Sequence, residues 1–304
     1  MKDLLQPILN GILLGGLYAI IAIGLSTIMG IVKVMNFAHG DLMILSSYLC
    51  LVFASRLGLS PFWGFFVIVP LAYLIGYFYQ RRLINRVLGK EMDPPLIVAF
   101  GVGIILQNLL LLIFTPDART LMTGLGMKTI SLTSDLKIPV NYLLDFAIGL
   151  GVILFLYIFF QKTYLGRAIR ASSDDEIAAR LMGVNTRTVY AHAMGISNIT
   201  AAIAGILVGL TFTFYPHTGS EYLFIAFGVA IIAGLGSMKG TFLAGIILAV
   251  AQLFGGHFLG PGYQMVSGHI VLLIVLLVKP KGIIGTVYHA AEKSPSAALS
   301  LPSR

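Results

Sequence analysis

The chain alternates long apolar runs with short polar stretches. Runs at about 5–30, 40–54, 61–79, 96–114, 141–160, 190–214, 222–253 and 263–278 match or approach the roughly 20 apolar residues that one helical bilayer crossing needs. The second run is short for a full crossing. The seventh is long and is interrupted at Gly234-Leu235-Gly236-Ser237-Met238-Lys239-Gly240, so it reads as two short crossings or a re-entrant pair. Stretches such as Leu143–Phe160 and Ile270–Val278 are apolar on every face. Lipid tolerates only helices and closed barrels, because every backbone polar group must be bonded internally. Barrel strands alternate apolar and polar residues at period two, and these runs do not. The pattern predicts an all-α integral membrane protein with about eight transmembrane helices, broken or re-entrant near 33–41 and 234–240.

Composition removes the soluble alternative. Of the 304 residues, 58% are hydrophobic and 11% charged, against about 25% charged in soluble domains. The mean hydropathy is +0.93. A soluble fold of this length leaves roughly a quarter of its chain surface in water, too much for so apolar a sequence. The single cysteine, Cys50, lies in an apolar run and reads as a small buried hydrophobe, so no disulfide framework exists. Lys2 precedes a long apolar stretch without a clear cleavage site, which predicts a retained span rather than a signal peptide.

The net charge of +8 sits in short loops, which is a topology signal and not a nucleic-acid surface. Arg81, Arg82, Arg86 and Lys90 mark the 80–95 loop as cytoplasmic. Lys162, Arg167, Arg170, Arg180 and Arg187 do the same for 161–189, and Lys279 and Lys281 for the start of the tail. The 115–140 loop is then exterior. The N-terminus is outside if 5–54 crosses twice, and inside if 33–41 only interrupts a helix at mid-membrane. Residues 1–290 form one membrane domain, and 291–304 read as a disordered cytoplasmic tail. A loose internal repeat, span then polar break then apolar stretch, pairs 24–54 with 228–253.

Three segments carry candidate chemistry. Lys33-Val34-Met35-Asn36-Phe37-Ala38-His39-Gly40-Asp41 separates two apolar runs. As a broken helix it would offer amide and carbonyl ends to a zwitterion. As a cytoplasmic turn it would use Asn36 or Asp41 as a helix cap. The Gly234–Gly240 segment matches neither the dinucleotide fingerprint nor the P-loop, since its spacing is G-x-G-x-x-x-G and Lys239-Gly240-Thr241 reverses the required order. It reads as a tight reversal whose glycines permit positive φ. The third runs from Gly166 to Asn185. Ile177, Leu181 and Val184 can share one stripe, Ser172 or Ser173 can cap the helix, and Gly183 can end it. Such a helix either docks a soluble partner or lies on the lipid surface. Catalytic and metal motifs are not found in the sequence, and the six histidines are dispersed, so neither an enzyme nor a cofactor is expected.

At these residues the sequence resembles the inner-membrane permeases of branched-chain amino acid ABC importers, the LivH-like family. Four stretches carry the resemblance: Gly11–Ile20, Asn36–Gly40, Gly166–Ala171 with Ala178–Asn185, and Gly234–Gly240. Lys239 departs from the pattern, where a proline or similar small residue is expected in many relatives. The resemblance implies a second, LivM-like permease, two cytoplasmic ATPases and an extracytoplasmic binding protein, in a bacterial inner membrane. It implies alternating access driven by the ATPases. It also implies a coupling helix of the E-A-A-x-x-x-G kind, carried by Glu176, Ala178, Ala179, Leu181 and Gly183. Ile177 holds the acidic position, with Glu176 one residue early. Asn36, Phe37, His39, Gly40, Gly234 and Gly236 become candidates for the substrate pathway, with Asn36 and His39 expected to serve transport more than assembly. A related importer for urea or short amides is the rival within the class. A stand-alone secondary transporter is the rival outside it, disfavoured because Asp41 and Asp145 are almost the only acids in the spans.

Overall fold

The computed structural model describes residues 2–89, 93–124, 128–133 and 136–284. The expected tail at 291–304 and Lys90 lie outside them. The order is α1 (Lys2–Ile31), α2 (His39–Leu57), α3 (Gly64–Tyr79), a π turn at Gln80–Ile84, α4 (Asn85–Val87) and α5 (Asp93–Phe114). A hairpin of β1 (Thr129–Thr133) and β2 (Leu136–Pro139) follows, then α6 (Val140–Lys162), α7 (Tyr164–Asp174) and α8 (Glu176–Leu181). The chain finishes with α9 (Thr186–Thr211), α10 (Thr218–Ala233), α11 (Met238–Phe258) and α12 (Gln264–Val278). Among the described residues, eight helical stretches are long and apolar enough to cross a membrane, and α10 is a shorter apolar helix. The all-α membrane architecture read from the sequence is the one observed.

Helices α1 and α9 are the buried centre, because small residues let their neighbours approach backbone to backbone. Gly15 and Gly245 leave no room for a Cβ between α1 and α11. Gly76 and Gly195 do the same between α3 and α9. The outer helices α5 and α12 keep most of their apolar surface exposed, as suits contact with lipid or another subunit.

Side-chain contacts fix which end of each helix is where. Gln6, at the start of α1, exchanges two hydrogen bonds with the backbone of Lys137 in the hairpin (2.5 and 3.0 Å). At the other end of α1, the Ser173 hydroxyl of the basic 161–189 loop donates to the Gly30 carbonyl (2.7 Å). Basic loops face the cytoplasm, so the N-terminus is outside and α1 crosses completely.

The chain then turns back into the membrane. Lys33, with φ +58°, ends the helix in a left-handed conformation, and 34–38 climbs alongside α1. The His39 Nε2 reaches the Ile21 carbonyl (2.9 Å), nearly three turns or about 15 Å above Ile31. Helix α2 therefore begins inside the bundle and runs outward. The second half does this upside down. Helix α9 ends at the outer side, and Phe214 bridges the exterior Arg119 backbone (2.8 and 2.9 Å). The chain dips inward, and α10 starts where Gly219 packs on Gly40 and Asp41. It runs to the cytoplasmic end, where the Ile232 carbonyl accepts from Ile283 (2.8 Å).

The two halves are an inverted repeat: α1, break, α2, α3, α5 against α9, break, α10, α11, α12, joined by α6–α8. The packing follows the same symmetry, with α1 on α11 as α9 is on α3, and α2 on α5 as α10 is on α12. The expected pairing of 24–54 with 228–253 was in the wrong register. The true counterpart of the first break is Phe212-Thr213-Phe214-Tyr215-Pro216-His217, at the end of one apolar run and in the short gap before the next. The break near 234–240 is real but is the surface turn between α10 and α11.

Candidate functional site

Where the two half-helices meet, their N-termini converge at the middle of the bundle. Gly40 of α2 and Gly219 of α10 lie so close that a Cβ on either would overlap the other helix. A groove of about 660 Å³ opens beside this crossing, between α5 and α12. Its floor includes Met35 and Phe37 of the first break, and α10 supplies Leu223, Phe224 and Phe227. The Phe37 ring packs against Phe227 (centroids 5.6 Å) and edge-on to Phe100 of α5 (6.4 Å). His269 and Leu272 of α12 complete the wall. One polar rung interrupts it: Gln107 Nε2 donates to Asp41 Oδ1 (2.9 Å) and to Ser220 Oγ (2.9 Å).

Of the predicted pathway residues, only Phe37 has its side chain on this groove. Asn36 and His39 do not; both are buried in helix packing. The Asn36 amide oxygen accepts from the Ala38 N–H (3.2 Å) and the Tyr79 hydroxyl (3.1 Å), and its nitrogen faces Met194 Sδ (3.6 Å). It folds the break on itself and ties it to α3 and α9. His39 anchors the start of α2 to α1, and its Nδ1 has no partner among the described residues. In this structure both side chains serve as anchors of the break and do not line the groove. Polarity alone could not separate the two, because a buried anchor and a pathway ligand look alike in sequence.

Gly234 and Gly236 are also apart from Phe37. Both have positive φ (+88° and +82°) in the cytoplasmic reversal, as the glycine spacing predicted. The Gly236 N–H donates to Ser26 Oγ of α1 (3.2 Å), and Ser237 caps α11 through the Gly240 N–H (3.2 Å). Gly236 lines a different, cytoplasmic cavity of about 720 Å³ with Lys33, Arg170 and Lys239. Gln107 and Ser220 were missed by sequence reasoning. Gln107 sits in a run that reads as a continuous span and Ser220 in the short gap between two runs, and only the crossing brings them to Asp41.

The 166–185 segment is two helices, not one. Asp175 leaves helical geometry (φ −145°, ψ 105°), and its Oδ1 accepts from the Ile177 and Ala178 N–H groups (2.9 Å each). The cap expected at Ser172 or Ser173 is therefore Asp175; Ser173 is used to hold α1 instead. Gly183, at φ +83°, closes α8 in a Schellman turn: Val184 N–H bonds the Ala179 carbonyl and Gly183 N–H that of Arg180 (3.0 Å each). Glu176 is engaged with Arg180, whose Nε also bonds Thr186 Oγ1 at the start of α9 (2.9 Å). Ala179 is buried beneath. Ile177, Leu181 and Met182 project from α8 at 73, 83 and 84% exposure. The expected stripe is split, since Val184 is packed inward.

The chain matches, over residues 7–278, the family described as the permease component of branched-chain amino acid transport systems. It is 31% identical to the high-affinity branched-chain amino acid transport system permease protein BraD of Pseudomonas aeruginosa, covering 92% of this chain and 95% of that one. It is 32% identical, with the same coverage, to the corresponding LivH of Escherichia coli K12. LivM of the same organism is 28% identical over 88% of this chain and 68% of its own length. No solved structure matches.

Proposed function

The chain belongs to the family of permease components of branched-chain amino acid transport systems, and from that premise we propose that it imports hydrophobic amino acids as one transmembrane half of an ABC transporter in a bacterial inner membrane. The family is one of transport components, not enzymes, and this chain supplies no nucleotide chemistry. Its partners in this reading are a second, LivM-like permease, two cytoplasmic ATPases and an extracytoplasmic binding protein. The likeness to LivM-named relatives supports a pair of homologous permeases.

The observation that carries the mechanism is the inverted pair of half-helices crossing at Gly40 and Gly219. Helix α2 also packs on α9, and α10 packs on α1, so a tilt of one half against the other opens the crossing to one side at a time. Helix α8 is the handle for that tilt. It stands on the cytoplasmic side, is joined to α9 through Arg180 and Thr186, and offers Ile177, Leu181 and Met182 to a partner groove. Its Asp175 cap and Gly183 turn hold that short helix rigid enough to transmit a push. An ATPase pair can bias the two states only by binding them with different affinity. The resemblance's coupling residues thus divide by role: Ala178 and Leu181 face outward, while Glu176, Ala179 and Gly183 shape the helix.

Proteoliposomes holding the whole complex test this. ATP inside and binding protein with leucine outside are expected to give leucine accumulation that stops without ATP or without binding protein. Accumulation driven by an ion gradient with this chain alone overturns the reading in favour of a secondary transporter. Uptake of urea but not leucine moves it to the amide-importing branch.

A further inference from the structure

We infer that Asp41, held by Gln107, which also bonds Ser220, is the site in the membrane that takes the ammonium of the transported solute. The inference rests on the import function proposed above and goes further by naming the group that reads the substrate. Asp41 is only 5% exposed, yet it lines the groove beside the half-helix crossing. Intramembrane carboxylates are costly and mark pathways unless something pairs with them. Among the described residues, no lysine, arginine or histidine makes an ion pair or hydrogen bond with Asp41. Its described partner is the neutral Gln107 amide, which also holds Ser220 across the groove.

Two helix starts converge on Asp41. It sits in the first turn of α2, and its Oδ1 lies against Gly219 at the start of α10. Both helix N-termini place partial positive charge there. Partial charges of this kind are not a full counter-charge. A primary ammonium entering the groove supplies one, with hydrogen bonds in the direction the carboxylate accepts them. The remainder of the wall selects the rest of the solute. Phe37, Phe100 and Phe227 offer an apolar surface of the size an aliphatic or aromatic side chain covers. The solute class is therefore a small amphipathic molecule with an ammonium at one end and an apolar body. Urea, which has neither, fits the rung poorly. The other acid buried in a span, Asp145, bonds Thr211 Oγ1 (3.0 Å) and is not on this groove.

The test measures leucine uptake and binding-protein-stimulated ATP hydrolysis side by side, in proteoliposomes containing the whole complex. Asp41→Asn keeps the size and the Gln107 contact but removes the charge. It is expected to lower leucine delivered per ATP by roughly tenfold or more, as loss of one member of a buried charge pair does, while stimulated hydrolysis persists. A purely structural role moves both rates together. Leucine delivered per ATP at the wild-type value in Asp41→Asn, or equal losses in both rates, overturns the inference. If Asp41→Asn fails to assemble, Gln107→Leu and Ser220→Ala decide it. A lowered ratio in either supports the site, and an unchanged ratio in both rejects it. A wild-type complex that imports no leucine would instead strike at the proposed function itself.

Discussion

Gly40 and Gly219 stand where a missing Cβ lets the starts of α2 and α10 touch. A Cβ on Gly40 has the Gly219 backbone in its way, and one on Gly219 meets the Asp41 carboxylate first and the Asp41 backbone behind it. Gly40→Ala and Gly219→Ala should each cost about 1–3 kcal/mol, as overpacking does, and lower the Tm of the detergent-purified protein; an unchanged Tm for both means that the half-helices do not touch. Asn36 and His39 were legible as polar residues at a break, but their anchoring bonds were not. Polar residues between apolar runs can be ligands or anchors, and only their bonds to Ala38, Tyr79 and Ile21 decide the matter. Asn36→Ala and His39→Ala are therefore expected to reduce the yield of folded protein, leaving transport per folded molecule much less affected. Size-exclusion yield measured alongside uptake separates the two, and normal yield with lost uptake restores the pathway reading.

At the scale of elements, hydrophobic periodicity found the full spans because a crossing helix is long and apolar throughout. It found α10 as the first part of the divided 222–253 run, but it read the gap at 215–221 as an ordinary connection and not as a break inside the bundle. The Gly166–Asn185 segment was legible through its charges and its Gly183 stop. Its division at Asp175 was not, because an acid beside Glu176 looks like any first-turn residue. Helix α8 gives the cleanest separation of docking from folding. Leu181 is 83% exposed, so Leu181→Asp should insert and fold normally but lose ATPase association and transport. Ala179→Asp mixes the two effects, since Ala179 is buried. Gly183→Arg meets open space, and its cost comes from the left-handed backbone, about 1–2 kcal/mol. It is expected to uncouple through distortion of the turn. Wild-type ATPase binding by Leu181→Asp would falsify the assignment of α8 as the docking helix and leave it as a lipid-surface element.

For the whole molecule, the distribution of lysine and arginine gave the orientation of the loops, but the side of the N-terminus depended on whether 5–54 crosses twice. Gln6 on the hairpin and Ser173 on Gly30 settle that geometry. Labelling can check it. Cys50 is buried and should stay silent, so Met122→Cys should react with an impermeant maleimide from outside, and Leu181→Cys only after the membrane is opened. The reverse pattern inverts the topology. The exposed α5 and α12 flank a groove carrying Asp41, Gln107, Ser220 and His269, and such groups are poorly suited to face hydrocarbon. A second permease covering that face accounts for both facts. The most direct measurement is recovery of the tagged chain from native membranes in mild detergent, with its co-purifying proteins identified. The account predicts a homologous permease and two ATPases in the same particle; a homo-oligomer without any ATPase contradicts it.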